Sequence, residues 1–324
     1  MKNRKPVLAA MLAVVLAIMS VLPLSLSSCG EAKKVYTVGI CQLATHDALD
    51  AATKGFKQAL IDKLGEDTVV FDEANASGDS AVCATIVNSF VSKKVDLIMA
   101  NATAALQAAY NATSTIPILG TSVTEYGTAL NLKDFNGTVG GNVSGTSDLA
   151  PLTEQGDMLI ELFPEAKNVG LPYCSAEPNS EYQIKVIEEY LSGKGLTCTR
   201  YSFSDTNDVV TVTTRAASES DVIYIPTDNT AATCTEAIGG VVRTKNVPVI
   251  AGESGICKGC GVATLSISYY DLGYKTGEMA AKILTGESDI STMPIEYASA
   301  VKKYNAEICS EMGITLPADY TPLD

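Results

Sequence analysis

The 324-residue chain has no tryptophan and one histidine, His46, and its 23 lysines and arginines are outnumbered by 37 aspartates and glutamates. Each shortage excludes something. An acidic body has little with which to neutralise phosphates and release their counterions, so no nucleic-acid partner is expected. A Ser-His-Asp or Cys-His arrangement would have to recruit His46, and no GxSxG elbow accompanies it, so no catalytic residue is assigned. No GxxxxGK[ST] loop occurs, which rules out nucleotide hydrolysis of that kind. Cys257-Lys258-Gly259-Cys260 is a CxxC without a second such pair, too few ligands for a closed zinc site, and neither metal nor cofactor is expected. The missing tryptophan counts against a sugar site built on ring stacking.

The N-terminus carries the most legible signal. Lys2, Arg4 and Lys5 precede the apolar stretch Val7 to Leu26, and Leu26-Ser27-Ser28-Cys29 follows. That is a secretory signal ending in a lipobox, with residues 1–28 removed, Cys29 lipidated and 29–34 left as a linker. An uncleaved membrane anchor is the alternative, since about twenty apolar residues can span a bilayer. Either way the body lies outside the cytoplasmic membrane. Cleavage leaves 20 basic against 37 acidic residues, a net charge of −17, on 296 residues, enough for two ordinary domains. Oxidising surroundings permit disulfides, yet most of the other eight cysteines sit in apolar runs, where a buried thiol is the usual state. For Cys257 and Cys260 a disulfide tightening a turn and two free thiols both remain open.

From Val35 the sequence alternates short apolar runs with helical patterns. Strands are expected at 35–43, 68–76, 95–102 and 116–123, with helices over about 49–64, 79–92 and 103–113 between them. After a Gly-rich stretch at 136–148 the rhythm restarts: strands at 168–175, 197–205, 221–228 and 247–254, helices over 151–163, 180–192, 207–217 and 230–241. The tail adds an apolar run at 262–273 and an amphipathic helix to about Leu284. Continuous apolar strands separated by helices indicate βαβ units around buried parallel sheets. The fold expected is therefore α/β, two similar lobes. The first covers 35–147, completed by about 268–295, and the second covers 148–267, completed by about 296–324.

In such sheets ligands bind beyond the carboxyl ends of the strands. First-lobe strand ends supply Gln42, His46, Asn101, Ala102, Thr103, Ser122, Val123 and Thr124. The second lobe and the approach to it supply Thr146, Ser147, Asp148, Ser175, Asn179, Ser180, Thr227, Asp228, Asn229 and Glu253. Taken singly, each Ser, Thr, Asp or Asn is explained as a helix N-cap. As a set, hydroxyls and amides on one side with carboxylates on the other suit a zwitterion held between two lobes. Helix N-termini and Thr103, Ser122 and Thr124 favour its carboxylate, and Asp228, with Glu253 as second candidate, its ammonium. Tyr126, Tyr173, Tyr182, Tyr269 and Tyr270 lie near these loops, either to stack on an aromatic ligand or as lobe packing.

VGICQLATHDALDAATKGF, the NASGD at 75–79, VDLIMANATAALQAA, NVSGTSD, IYIPTDNT and DLGYKTGEMAAKIL together resemble the substrate-binding lipoproteins of ABC importers, in the tryptophan/tyrosine-type branch. The resemblance runs from Val35 to about Glu296. It implies a type I periplasmic-binding-protein fold: two Rossmann-like lobes, three hinge crossings and a ligand in the cleft. It further implies capture of a hydrophobic or aromatic amino acid for an ABC permease partner. Asn101-Ala102-Thr103 and Ser122-Val123-Thr124 fall at loops that would hold the ligand carboxylate, and Asp228 where an acid would hold the amine. A type I receptor for a sugar or nucleoside is the alternative, and an exported hydrolase using Asp228 or Glu253 as general base is the rival of another class.

Overall fold

Apolar runs with no polar face become strands covered on both sides. The computed structural model describes residues 34–323; the N-terminal signal and Cys29 lie outside the described residues. In chain order the first half comprises β1 (Tyr36–Gln42), α1 (Asp47–Leu64), β2 (Val69–Asn75), α2 (Ser80–Lys93), β3 (Leu97–Asn101), α3 (Thr103–Ala112), β4 (Ile118–Val123), the short α4 (Tyr126–Ala129) and β5 (Val143–Ser147). Every residue of β3, β4 and β5 is buried, as central parallel strands require. The second half comprises α5 (Leu152–Leu162), β6 (Asn168–Cys174), α6 (Pro178–Gly193), β7 (Thr197–Phe203), α7 (Val209–Glu219), β8 (Val222–Ile225), α8 (Asn229–Ala232), α9 (Thr235–Lys245), β9 (Val249–Ala251), α10 (Ser254–Cys260) and β10 (Ala263–Ser266). The tail adds α11 (Tyr269–Thr285), β11 (Glu296–Tyr297), β12 (Val301–Tyr304), α12 (Ala306–Met312) and β13 (Thr321–Pro322).

Two sheets result. The first runs β2-β1-β3-β4-β5-β11 and the second β7-β6-β8-β9-β10-β12-β13, so the core order of the first sheet recurs in the second. All pairings are parallel except β12 on β10. The chain passes between the sheets at residues 148–151, 267–268 and 298–300. The last passage falls later than 296, because Glu296 and Tyr297 still pair with Thr146 and Ser147 of the first sheet.

Local chemistry overrides three expectations. The CxxC is not a turn: Glu253 accepts from Gly255 N and Ile256 N and starts α10 there, so Cys257 and Cys260 lie on a helix. Among the described residues all eight cysteines are free thiols, Cys257 and Cys260 included. The apolar run at 262–273 ends as a strand at Ser266, because Ser268 accepts from Asp271 N and opens α11. The helix expected over 230–241 is two, α8 and α9, separated at Thr233 and Cys234.

Helices α1 and α11 meet at backbone contact. A Cβ on Gly55 would lie 2.0 Å from Tyr270 O, and one on Gly273 would lie 1.9 Å from Ala52 O. This fixes the N-terminal half of α1 against the start of α11. The N-terminal ends of both helices border the cleft.

Candidate functional site

Strand ends and helix starts from both lobes line a small, narrow cavity. The first lobe contributes His46, Ala48 and Leu49 from the start of α1, Ser122 and Thr124 from the end of β4, and Tyr269 from the start of α11. Asp148 stands on the first crossing. The second lobe contributes Asn179, Thr227, Asp228, Asn229, Ala232 and Glu253.

Two polar atoms in this wall are buried without a partner: Ser122 Oγ and Asp148 Oδ1. Such orphans are costly and uncommon in folded proteins. Ser122 has φ of 54° at a register shift between β4 and β5, a left-handed conformation that a serine adopts at some cost. Asp148 is 3% exposed, and its other oxygen accepts from Tyr269 OH at 2.9 Å. Burial raises its pKa, opposed by the tyrosine hydroxyl and then by Thr124. The Thr124 hydroxyl lies near the carboxylate but makes no hydrogen bond of ordinary geometry to Oδ1.

The other two cavity acids are occupied. Asp228, 1% exposed, accepts from Cys174 N at 2.7 Å and from Ala231 N at 2.8 Å, so it caps α8 and ties it to β6. Burial and then the Glu177 charge push its pKa up to about 7 against these hydrogen bonds. Glu253 caps α10, and burial lifts it to about 7 as well. His46 faces Asn229 across the cleft, Nε2 to Oδ1 at 3.2 Å, and burial lowers its pKa.

Nine of the eighteen candidate residues thus meet at one cavity: His46, Ser122, Thr124, Asp148, Asn179, Thr227, Asp228, Asn229 and Glu253. The rest stand behind it. Asn101 Nδ2 donates to Leu49 O and Thr53 Oγ1, holding α1 to β3, and Ala102 and Thr103 begin α3 outside the cavity wall. Gln42 donates to Ala44 O and accepts from Thr53. Val123 belongs to the first-lobe core, Thr146 bonds Thr276, and Ser147 donates to Thr124 O. Ser175 donates to Phe203 O, and Ser180 accepts from Asn179. Of the tyrosines only Tyr269 lines the cavity. Tyr126 is core, its OH donating to Thr146 O; Tyr173 and Tyr182 pack in the second lobe, and Tyr270 stacks on Tyr274. Ala48, Leu49 and Ala232 were missed, since an apolar residue in the first turn of a helix looks like any core position. Glu177, in the loop before α6, accepts from Asn229 N, Asn229 Nδ2, Thr230 N and Thr230 Oγ1, and so orients the wall from behind.

Residues 37–320 match the family described as ABC transporter substrate binding protein. The chain belongs to that family. As a substrate-binding protein it is 36% identical over 267 residues to the tyrosine-binding protein of Clostridioides difficile, covering 82% of this chain and 77% of the relative. It superimposes with a TM-score of 0.84, at 29% identity, on a Streptococcus pneumoniae structure in complex with L-Trp, covering 88% of this chain and 97% of that one. On the ligand-free, open structure of a substrate-binding protein with adhesive properties from Clostridium difficile the TM-score is 0.69, at 35% identity and with 90% and 99% covered. The more similar sequence gives the poorer superposition. The fold is the type I periplasmic-binding arrangement, a fold of solute-binding proteins rather than enzymes.

Proposed function

We propose that this substrate-binding protein captures an aromatic amino acid between its lobes and delivers it to an ABC permease, held outside the cytoplasmic membrane by lipid on Cys29. The anchor reading is supported by the Leu26-Ser27-Ser28-Cys29 lipobox, and the ligand class by the tyrosine and tryptophan named for the relatives. One observation carries the site: Asp148 Oδ1 and Ser122 Oγ are buried and unpartnered, and both residues line one cavity. A zwitterion satisfies both, its ammonium donating to Asp148 and its carboxylate accepting from Ser122. We assign the ammonium to Asp148 rather than Asp228, because both Asp228 oxygens already accept backbone N–H groups. Leu49, Ala48, Ala232 and the Tyr269 ring offer the apolar surface for the side chain.

The test is a thermal-shift and calorimetric screen of the purified protein against the twenty amino acids, sugars and nucleosides. A ligand at about a hundred times its dissociation constant stabilises by about 2.7 kcal/mol, which is several degrees. A response confined to tyrosine, tryptophan or phenylalanine supports the proposal. A response to sugars or nucleosides alone would overturn the ligand class.

The pH dependence carries its own expectation. Asp228 and Glu253 titrate near 7 in the folded protein but near ordinary carboxylate values when unfolded. An acid with a raised pKa releases its proton more readily from the unfolded chain, so stability falls as pH rises through this window. The ligand ammonium acts through Asp148, whose pKa burial also raises and which must be ionised to pair with it. The ligand-free melting temperature is therefore expected to be higher at about pH 5.5 than at about pH 8, while the ligand-induced shift grows as pH rises and Asp148 ionises. A ligand-induced shift independent of pH would remove the buried acids from the account.

A further inference from the structure

His46 was weighed above as a direct ligand contact, but its ring is engaged by the protein itself. It stands at the N-cap of α1 in an extended conformation and makes no capping hydrogen bond to that helix. Instead Nε2 reaches Asn229 Oδ1 at 3.2 Å, from the first lobe to the residue that opens α8 in the second. The carboxamide opposite is oriented: its Nδ2 donates to Glu177 Oε2 at 2.7 Å, and the Asn229 backbone N donates to the same oxygen at 3.0 Å. Glu177 is held in turn by Thr230 N and Thr230 Oγ1, both at 2.8 Å. With Nδ2 committed to Glu177, Oδ1 is left facing the imidazole, and an amide oxygen can only accept. His46 therefore carries its proton on Nε2.

Both residues line the ligand cavity, and each also borders an outer groove, Asn229 the one containing Asp79 and Asp205, and His46 the one containing Glu236 and Arg243. The pair forms part of the wall between the inner space and solvent. The neighbouring cross-cleft ion pair, Lys258 to Asp47 at 3.9 Å, is largely exposed and adds little.

We propose that His46 and Asn229 are a positioning pair that latches the closed lobes, with Glu177 setting the geometry of the catch. Opening the cleft must break this bond. The latch slows ligand release and contributes little to the encounter, since it forms only once the lobes meet. The inference rests on the reading of the cleft as the ligand site, and its test separates the two.

The experiment is a double-mutant cycle of His46→Ala and Asn229→Ala, with L-tyrosine and L-tryptophan as probes and association and dissociation rates measured by stopped flow. Each single variant is expected to release the probe about three- to ten-fold faster, the size of one neutral hydrogen bond, with association unchanged. The double variant should release it no faster than either single variant, and His46→Gln, whose amide can donate to the same oxygen, should recover most of the loss. Losses that multiply in the double variant, or a wild-type release rate in His46→Ala, overturn the latch. If neither probe binds the wild type, the ligand reading fails and the latch is judged by small-angle scattering of the ligand-free protein. A larger radius of gyration in His46→Ala, reversed in His46→Gln, supports it; identical scattering overturns it.

Discussion

Asp148→Asn is expected to weaken binding of the amino-acid ligand by at least about thirty-fold while raising the melting temperature of the ligand-free protein. The two effects have one cause. The carboxylate is 3% exposed, one oxygen is held by Tyr269 and the other has no partner, so in the empty cleft the charge is a liability. Asparagine keeps an acceptor for Tyr269 and removes the charge. An ammonium arriving in the cavity then loses its counter-charge, and breaking a desolvated charge pair costs about 2–5 kcal/mol, of which about 2 kcal/mol already gives thirty-fold. Asp228→Asn should behave the other way. It replaces an oxygen facing a backbone N–H by an amide that cannot accept, and is expected to lower stability by about 1–3 kcal/mol. Calorimetric titration and thermal melts of the two variants together decide the matter. If Asp148→Asn binds as the wild type does while Asp228→Asn loses affinity at unchanged stability, the ammonium belongs to Asp228.

Gly273→Val should destabilise the protein by about 3 kcal/mol or more and weaken ligand binding as well. A Cβ at Gly273 would lie 1.9 Å from Ala52 O, a backbone atom that cannot swing aside. Gly55 on α1 has the reciprocal restriction against Tyr270 O, so neither helix can yield without moving the other. Separating them displaces His46, Ala48 and Leu49 at one end of α1 and Tyr269 at the start of α11, all part of the cavity wall. Gly240→Ala in α9 is the control. Nothing lies within 4 Å of its would-be Cβ, and it should stabilise by up to about 1 kcal/mol through helix propensity alone. Urea unfolding followed by circular dichroism measures both. A Gly273→Val variant as stable as the wild type would show that the helices can part without cost.

The sequence determined the elements with continuous apolar runs. LIMAN and ILGT can be buried only as central strands, and alternation with helical periods makes the sheets parallel. That placed the candidate residues at the strand ends, and it made Asp228 visible as a cap, whereas the capping role of Glu253 appears only in the structure. The one histidine and the absent phosphate loop bounded the chemistry equally early. Tertiary structure alone decided which caps face the cavity and what each still has to offer. Asn101 and Ser122 lie at the ends of neighbouring strands and look equivalent in sequence, yet Asn101 stands behind the cavity with its Nδ2 spent on Leu49 O and Thr53, whereas Ser122, its hydroxyl unpartnered, lines the cavity. Asp148 and Asp228 are both buried acids, distinguished only by how many N–H groups converge on them. Hydrogen-bond satisfaction is a property of atoms brought together from distant parts of the chain. No local pattern of residue types records it, which is why the lobes could be read from the sequence and the free oxygen of Asp148 could not.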